Sequence, residues 1–129
     1  MILSLPYPPS ANVYWRNFQG RTVVSQEARN YKAQAGWLAK SQSAELLDGD
    51  IAVTLKLYRP QKKGDIDNRI KVLLDTLQGV CFENDSQIVE LHVFRYDDKN
   101  NPGVVVELWQ VEDERTSNTP AMERDTEEA

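Results

Sequence analysis

The sequence predicts an α+β fold: a single two-layer domain with a mixed β-sheet and two main helices, in the order β-(β)-α-β-α-β-β. Three features carry that expectation. The stretch "IAVTLKLY", 51–58, alternates so that Ile51, Val53, Leu55 and Leu57 share one face, the period of a strand. Ala28, Tyr31, Ala35 and Leu38, and then Ile70, Leu73, Leu74 and Leu77, recur at the spacing of two amphipathic helices. Towards the end, "QIVELHVFRY" (87–96) and "GVVVELWQV" (103–111) read as strands separated by the turn "DDKNNPG". Helices interspersed among strands of this kind pack as one layer against one sheet.

Each element has a local reason. "ILSLPY" is a short opening strand stopped by Pro6, Pro8 and Pro9. "SANVYWRNFQGRT" reads as a polar and aromatic loop turning at Gly20, and "TVVS" as a brief strand. Ser25 is a good N-cap for a helix running to about Leu47, with Glu27 in its first turn favoured by the helix dipole and Asp48-Gly49 as its end. Pro60 closes the strand at 51–58, a lysine-bearing loop follows over 59–64, and the second helix runs from about Asp67 to Gln78 with Gly79 as its stop. The last two strands are expected to form an antiparallel hairpin. Trp37 and Trp109 are expected in the core or at a dimer interface, Cys81 as a small buried hydrophobe, and His92 packed or half-exposed on a strand without a ligand role.

Composition narrows the setting. The 129 residues suit one domain, and no apolar run is long enough to span a bilayer. The start lacks the basic and apolar pattern of a signal peptide, and a single cysteine allows no internal disulfide, so a cytoplasmic location is expected. The net charge of −5 lies in the tail: from Glu112 onward seven acidic residues face two arginines. Residues 1–111 balance at thirteen acidic against thirteen basic, so a locally basic face could still meet phosphate. We therefore divide the chain into a folded domain, 1–111, and an acidic, disordered tail, 112–129.

The segment "KKGDIDNRIKVLLDTLQGVCFENDSQIVE", 62–90, holds the candidate chemistry. Asp65 and Asp67 flank a helix start, where either could cap unpaired amides. Asp75 lies one turn beyond Lys71, as in a surface contact, and Asn84-Asp85-Ser86 is ordinary turn chemistry. Taken together they read differently. Two carboxylates at a loop-to-helix junction can converge on a hard divalent cation, which takes oxygen ligands plus water and substrate phosphate. The helix N-terminus attracts phosphate, and Lys62, Lys63 and Lys71 can meet its oxygens. That set suits metal-assisted phosphodiester hydrolysis. Arg16 and Arg21, interleaved with Tyr14, Trp15 and Phe18, could contact a nucleic acid by stacking and by charge.

The sequence resembles the RusA family of Holliday-junction resolvases. The resemblance rests on "LPYPPSANVYWR", on "GRTVVSQEARNYK", and on "DIDNRIKVLLDTL" followed by "NDSQIVEL", and covers roughly residues 3–96. It implies that Asp65, Asp67 and Asp85 bind metal, and that Lys71 contacts the scissile phosphate, with Asp75 in a supporting place. It implies Mg²⁺ as cofactor, with Mn²⁺ able to substitute, and a homodimer that nicks DNA four-way junctions symmetrically, in recombination and repair. Arg16, Arg21, Lys62 and Lys63 would hold the DNA alongside Lys71. Asn84 stands where the family often has a second acid, which keeps two alternatives open: a non-catalytic junction-binding module, or a branched-DNA nuclease of relaxed specificity.

Overall fold

A computed structural model describes residues 1–9, 15–18, 21–62 and 66–111, and for 15–18, 21–24, 67 and 68 the description is of the backbone. The acidic segment from Glu112 onward lies outside the described residues. The elements are β1 (Ile2–Leu5), β2 (Trp15–Phe18), β3 (Arg21–Val24), α1 (Gln26–Ser41), β4 (Ile51–Arg59), α2 (Ile66–Leu77), a 3₁₀ turn (Asp85–Gln87), β5 (Ile88–Asp97) and β6 (Gly103–Gln110). The α+β expectation holds: one mixed four-stranded sheet carries both helices.

Strand order is β1-β6-β4-β5. β4 pairs antiparallel with β6 on one side and parallel with β5 on the other. The apolar row read from the sequence is the core row, with Ile51, Val53, Leu55 and Leu57 all fully buried. Val104, Val106 and Leu108 of β6 lie opposite this row, and Leu3 and Leu5 of β1 extend it. Against it pack Ala28, Tyr31, Ala35 and Ala39 of α1 and Val72, Leu73 and Leu77 of α2, together with Cys81 and Phe82 from the turn after α2.

Four expectations change. The strands at 88–97 and 103–110 do not pair as a hairpin, because β4 lies between them. The reason is burial: Ile51 through Leu55 are buried without a break, so β4 presents apolar or small residues on both faces and takes the central place. The expected aromatic loop contains strand β2, which pairs with β3 as a separate two-stranded ribbon. α1 ends at Ser41 instead of near Leu47. There the Gln42 side chain turns to β1, donating from Nε2 to the Ser4 carbonyl at 2.8 Å and accepting the Ser4 N–H at 2.7 Å, and Ser43 takes a positive φ of 69°. Of the two places expected for Trp37 and Trp109, the core is excluded, since they are 70% and 44% exposed in the single chain.

The local signals at the helix ends hold. Ser25 Oγ accepts the Ala28 N–H at 3.1 Å, capping α1. Gly79, with φ +87°, follows the end of α2 in the left-handed conformation that lets the chain turn there. Phe82 fills the space under that turn and is fully buried. Phe82→Ala should therefore cost about 3–5 kcal/mol in urea unfolding, whereas Trp37→Ala should stay within about 0.5 kcal/mol. Equal effects would contradict this core.

Candidate active site

The second helix begins where β4 ends. Asp97 at the end of β5 pairs with Arg59 at the end of β4, and the Asp98 N–H donates to the Arg59 carbonyl at 2.9 Å. The hydrogen bond from Arg59 holds the Asp97 carboxyl below the usual carboxylate range. The chain then passes through Pro60, Gln61 and exposed Lys62 to Ile66, the first residue of α2. Asp67 is the second residue of the helix, so its backbone sits among first-turn amides that have no partner within the helix. Lys71, one turn on, is exposed. Lys63 and Asp65, immediately before the helix, lie outside the described residues, as does the side chain of Asp67.

Asp75 reaches across to the other helix. It meets Lys32 of α1 at 3.2 Å, an exposed pair between the helices that adds little stability. In the β2–β3 ribbon, Arg16 pairs with Val23 and Phe18 with Arg21, so Arg16, Phe18 and Arg21 occupy one row of the ribbon.

Asp85 lies elsewhere. It opens the 3₁₀ turn before β5, and Ile88 of β5 pairs with Ile51, the first residue of β4. α2 starts after the last residue of β4 and runs back: at its far end the Leu47 N–H donates to the Cys81 carbonyl at 2.8 Å, beside the start of β4. From Asp67 to Leu77 the helix rises about 15 Å. Within one chain, Asp67 and Asp85 therefore stand at opposite ends of α2, too far apart to share an ion whose oxygen ligands lie about 2–2.5 Å away. Among the described residues no three of His, Cys, Asp and Glu come together closely enough to hold a metal. Asp65 and Asp67, separated in sequence by Ile66 alone, offer hard oxygen donors of the kind Mg²⁺ takes.

Asn84 has work of its own. Its Oδ1 accepts the Ser86 N–H at 2.9 Å. Gln87 is the hub of the turn: Oε1 accepts from the amides of Glu83 and Asn84, while Nε2 donates to the carbonyls of Leu47 and Gly49 at 2.9 and 2.8 Å. The amide at Asn84 is thus a capping residue in the place where an acid was expected.

Sequence reasoning passed over Arg69. Its guanidinium lies over the Tyr7 ring, 5.1 Å from the centroid, and donates to the Pro8 carbonyl at 2.8 Å. Its Nε is buried with no hydrogen-bond partner among the described residues. A cavity of about 170 Å³ lined by Tyr7, Pro60, Gln61 and Arg69 opens beside the helix start. An arginine inside an otherwise apolar helical stripe was the available signal. Cys81, by contrast, is fully buried, and burial pushes its thiol up to about 11, so it stays protonated and unreactive. His92 is half-exposed on its strand, one of the two places expected for it, and its Nε2 lies 3.2 Å from Glu90.

The chain matches the family described as Endodeoxyribonuclease RusA over residues 6–109. It is 33% identical over 107 residues to the crossover junction endodeoxyribonuclease RusA of Aquifex aeolicus (strain VF5), a match spanning 81% of this chain and 84% of that protein. It is 30% identical over 96 residues to the protein of the same name from Escherichia coli (strain K12), and 29% identical over 96 residues to that of Enterobacteria phage 82. Each of these two matches covers 72% of this chain and 80% of the relative. These likenesses define the class, a hydrolase that cuts DNA. The chain belongs to the RusA family of endodeoxyribonucleases.

The Gln87 hub predicts a measurable cost. Gln87→Ala removes four hydrogen bonds and leaves two carbonyls and two amides to rearrange, and should lower unfolding free energy by about 2 kcal/mol in urea titration. A change under about 0.5 kcal/mol would mean that solvent replaces those bonds without loss.

Proposed function

We propose that this protein is a Mg²⁺-dependent, structure-selective endonuclease that resolves Holliday junctions by symmetric nicking, with Mn²⁺ able to substitute, and that it works as a homodimer in the cytoplasm. The observation that carries the reading is the family match across the folded body, with the Asp65-x-Asp67-Asn-x-x-Lys71 pattern falling at the start of α2. In recombination and repair the substrate would be a DNA four-way junction.

The roles follow from chemistry at that helix start. Asp65 and Asp67 would hold Mg²⁺; Asp85, a helix length away within one chain, would join the set only from the other copy of the homodimer. When bound, the ion supplies an acidic centre that polarises water and offsets charge on phosphate. Lys71, exposed one turn into the helix, would meet a scissile-phosphate oxygen and oppose the negative charge that grows during displacement. The amides of the first turn favour phosphate in the same place. Lys62 and Lys63, just before the helix, and the row bearing Arg16 and Arg21 would hold flanking backbone by charge, which makes binding weaken steeply with salt.

On a labelled four-way junction and its matching linear duplex, the wild type should give paired nicks in the junction alone, with Mg²⁺ or Mn²⁺ and not with EDTA. Asp67→Asn should lower the nicking rate by about 10³-fold or more while keeping or improving junction affinity, since a negative charge beside phosphate is gone. Tight binding with no nick by the wild type at any metal concentration would instead make this chain a junction-binding module. Equal cutting of flaps and forks would make it a nuclease of relaxed specificity.

A further inference from the structure

We propose that Arg69, with the small cavity it shares with Tyr7, Pro60 and Gln61, is a phosphate subsite: it holds one backbone phosphate of the bound DNA, beside the bond that is cut and distinct from it. This assignment rests on the reading above, that the chain works on DNA at the start of α2.

The sheet explains why these residues meet. β1 and β4 each pair antiparallel with β6, so they run in the same direction on either side of it. Leu5 near the end of one and Leu57 near the end of the other both lie opposite Val104. Tyr7, just past β1, and Pro60 and Gln61, just past β4, therefore reach one margin of the sheet, where α2 begins. With Arg69 they line a cavity of about 170 Å³.

Arg69 enters that cavity with donors to spare. Its guanidinium donates to the Pro8 carbonyl at 2.8 Å and lies over the Tyr7 ring, 5.1 Å from the centroid. A guanidinium carries five N–H groups in a planar fork. Nε is buried without a partner, and no ion pair among the described residues includes Arg69. A buried donor left unmade is costly, and a cation set against an aromatic ring and a proline has few waters to offset that cost. The residues lining the cavity include no acid, while exposed Gln61 adds a second amide donor. One cation, spare donors and apolar walls call for an oxyanion, and the fork matches a phosphate through two oxygens.

The helix decides which phosphate. Residues two apart on an α-helix point to different sides, so Arg69 and Lys71 do not reach the same group. Lys71 is the cation assigned to the scissile phosphate. Arg69 is left for another phosphate of the backbone that passes over the helix start.

Junction binding by the full chain, measured in EDTA by fluorescence anisotropy, tests this without requiring cleavage. One phosphate at a time near the branch point is replaced by an uncharged methylphosphonate. Arg69→Gln should bind the unmodified junction about tenfold more weakly, and its log affinity should fall less steeply with log salt, by about 0.9. At one position the neutral linkage should weaken the wild type about tenfold and leave Arg69→Gln unchanged, the non-additivity of a direct contact. Gln61→Glu, at an exposed position, should weaken binding of the unmodified junction, and that loss should vanish when the same phosphate is neutralised. An Arg69→Gln chain that melts earlier yet keeps the wild-type methylphosphonate profile overturns the subsite, since Arg69 would then only fasten the Tyr7–Pro8 segment to α2. If Arg69→Gln does not fold, Gln61→Glu decides, and an unaltered profile there overturns it. A change only in the Mg²⁺ concentration needed for nicking overturns it as well, because the guanidinium would then serve the metal-binding carboxylates. A wild type that binds junctions without nicking them sinks the nuclease reading alone, while the binding profile still judges the subsite. A wild type that binds no DNA sinks both.

Discussion

The structure depends on the burial of β4. A strand whose first five residues are all inaccessible must have neighbours on both edges. β6 supplies one edge antiparallel and β5 the other in parallel. A parallel neighbour cannot be reached by a tight turn, so the chain must cross back along the sheet, and α2 is that crossing. Once β4 is central, α2 has to begin at its carboxyl end and finish near its amino end. The start of α2 is thereby placed at the carboxyl ends of the two parallel strands, the position from which open sheets with helical crossovers usually bind ligands.

The same constraint explains which face of the sheet is chemically quiet. On the side away from the helices the rows are Ala52 and Thr54, still buried, and then Lys56 paired to Glu107 at 3.1 Å and Tyr58 stacked on Tyr96 at 5.0 Å. That face carries as many acids as bases among its paired residues and offers phosphate no concentration of positive charge. The charges without an ion pair among the described residues include Lys62 and Lys71, which sit before and within α2.

Much of this was legible in the sequence because the signals were local. Alternation at Ile51–Leu57, the Ser25 cap, the glycine after α2 and the leucine stripe each depend on a few neighbouring residues, and each appears as read. Apart from strand β2, which pairs with its neighbour β3, the errors about packing concerned partners far away in sequence. The turn at 98–102 joins two strands in a way that looks like a hairpin, yet those strands flank a third that comes forty residues earlier. The length of α1 was misjudged because Gln42 answers to Ser4, on another element, and not to the helix. Arg69 looked like one polar break in an apolar stripe, since its partners, Tyr7 and the Pro8 carbonyl, lie sixty residues upstream. For the candidate site the sequence could show which carboxylates share a segment, but not that twelve residues of helix hold them apart.

That separation changes how the segment 62–90 should be understood. Read as a string, its aspartates form one cluster; folded, they mark the two ends of one helix. Charge of like sign at both ends of α2 is not a neutral arrangement for the helix, whose dipole favours anions only at its start. Asp67 lies where the helix welcomes it. Asp85 is carried past the far end by a turn that Asn84 and Gln87 fasten to Leu47 and Gly49, with the carboxylate itself left exposed. The turn's four hydrogen bonds through Gln87 fix where Asp85 stands without using its side chain. A carboxylate so held is presented outward from its own chain at a fixed place, with the length of α2 between it and Asp67.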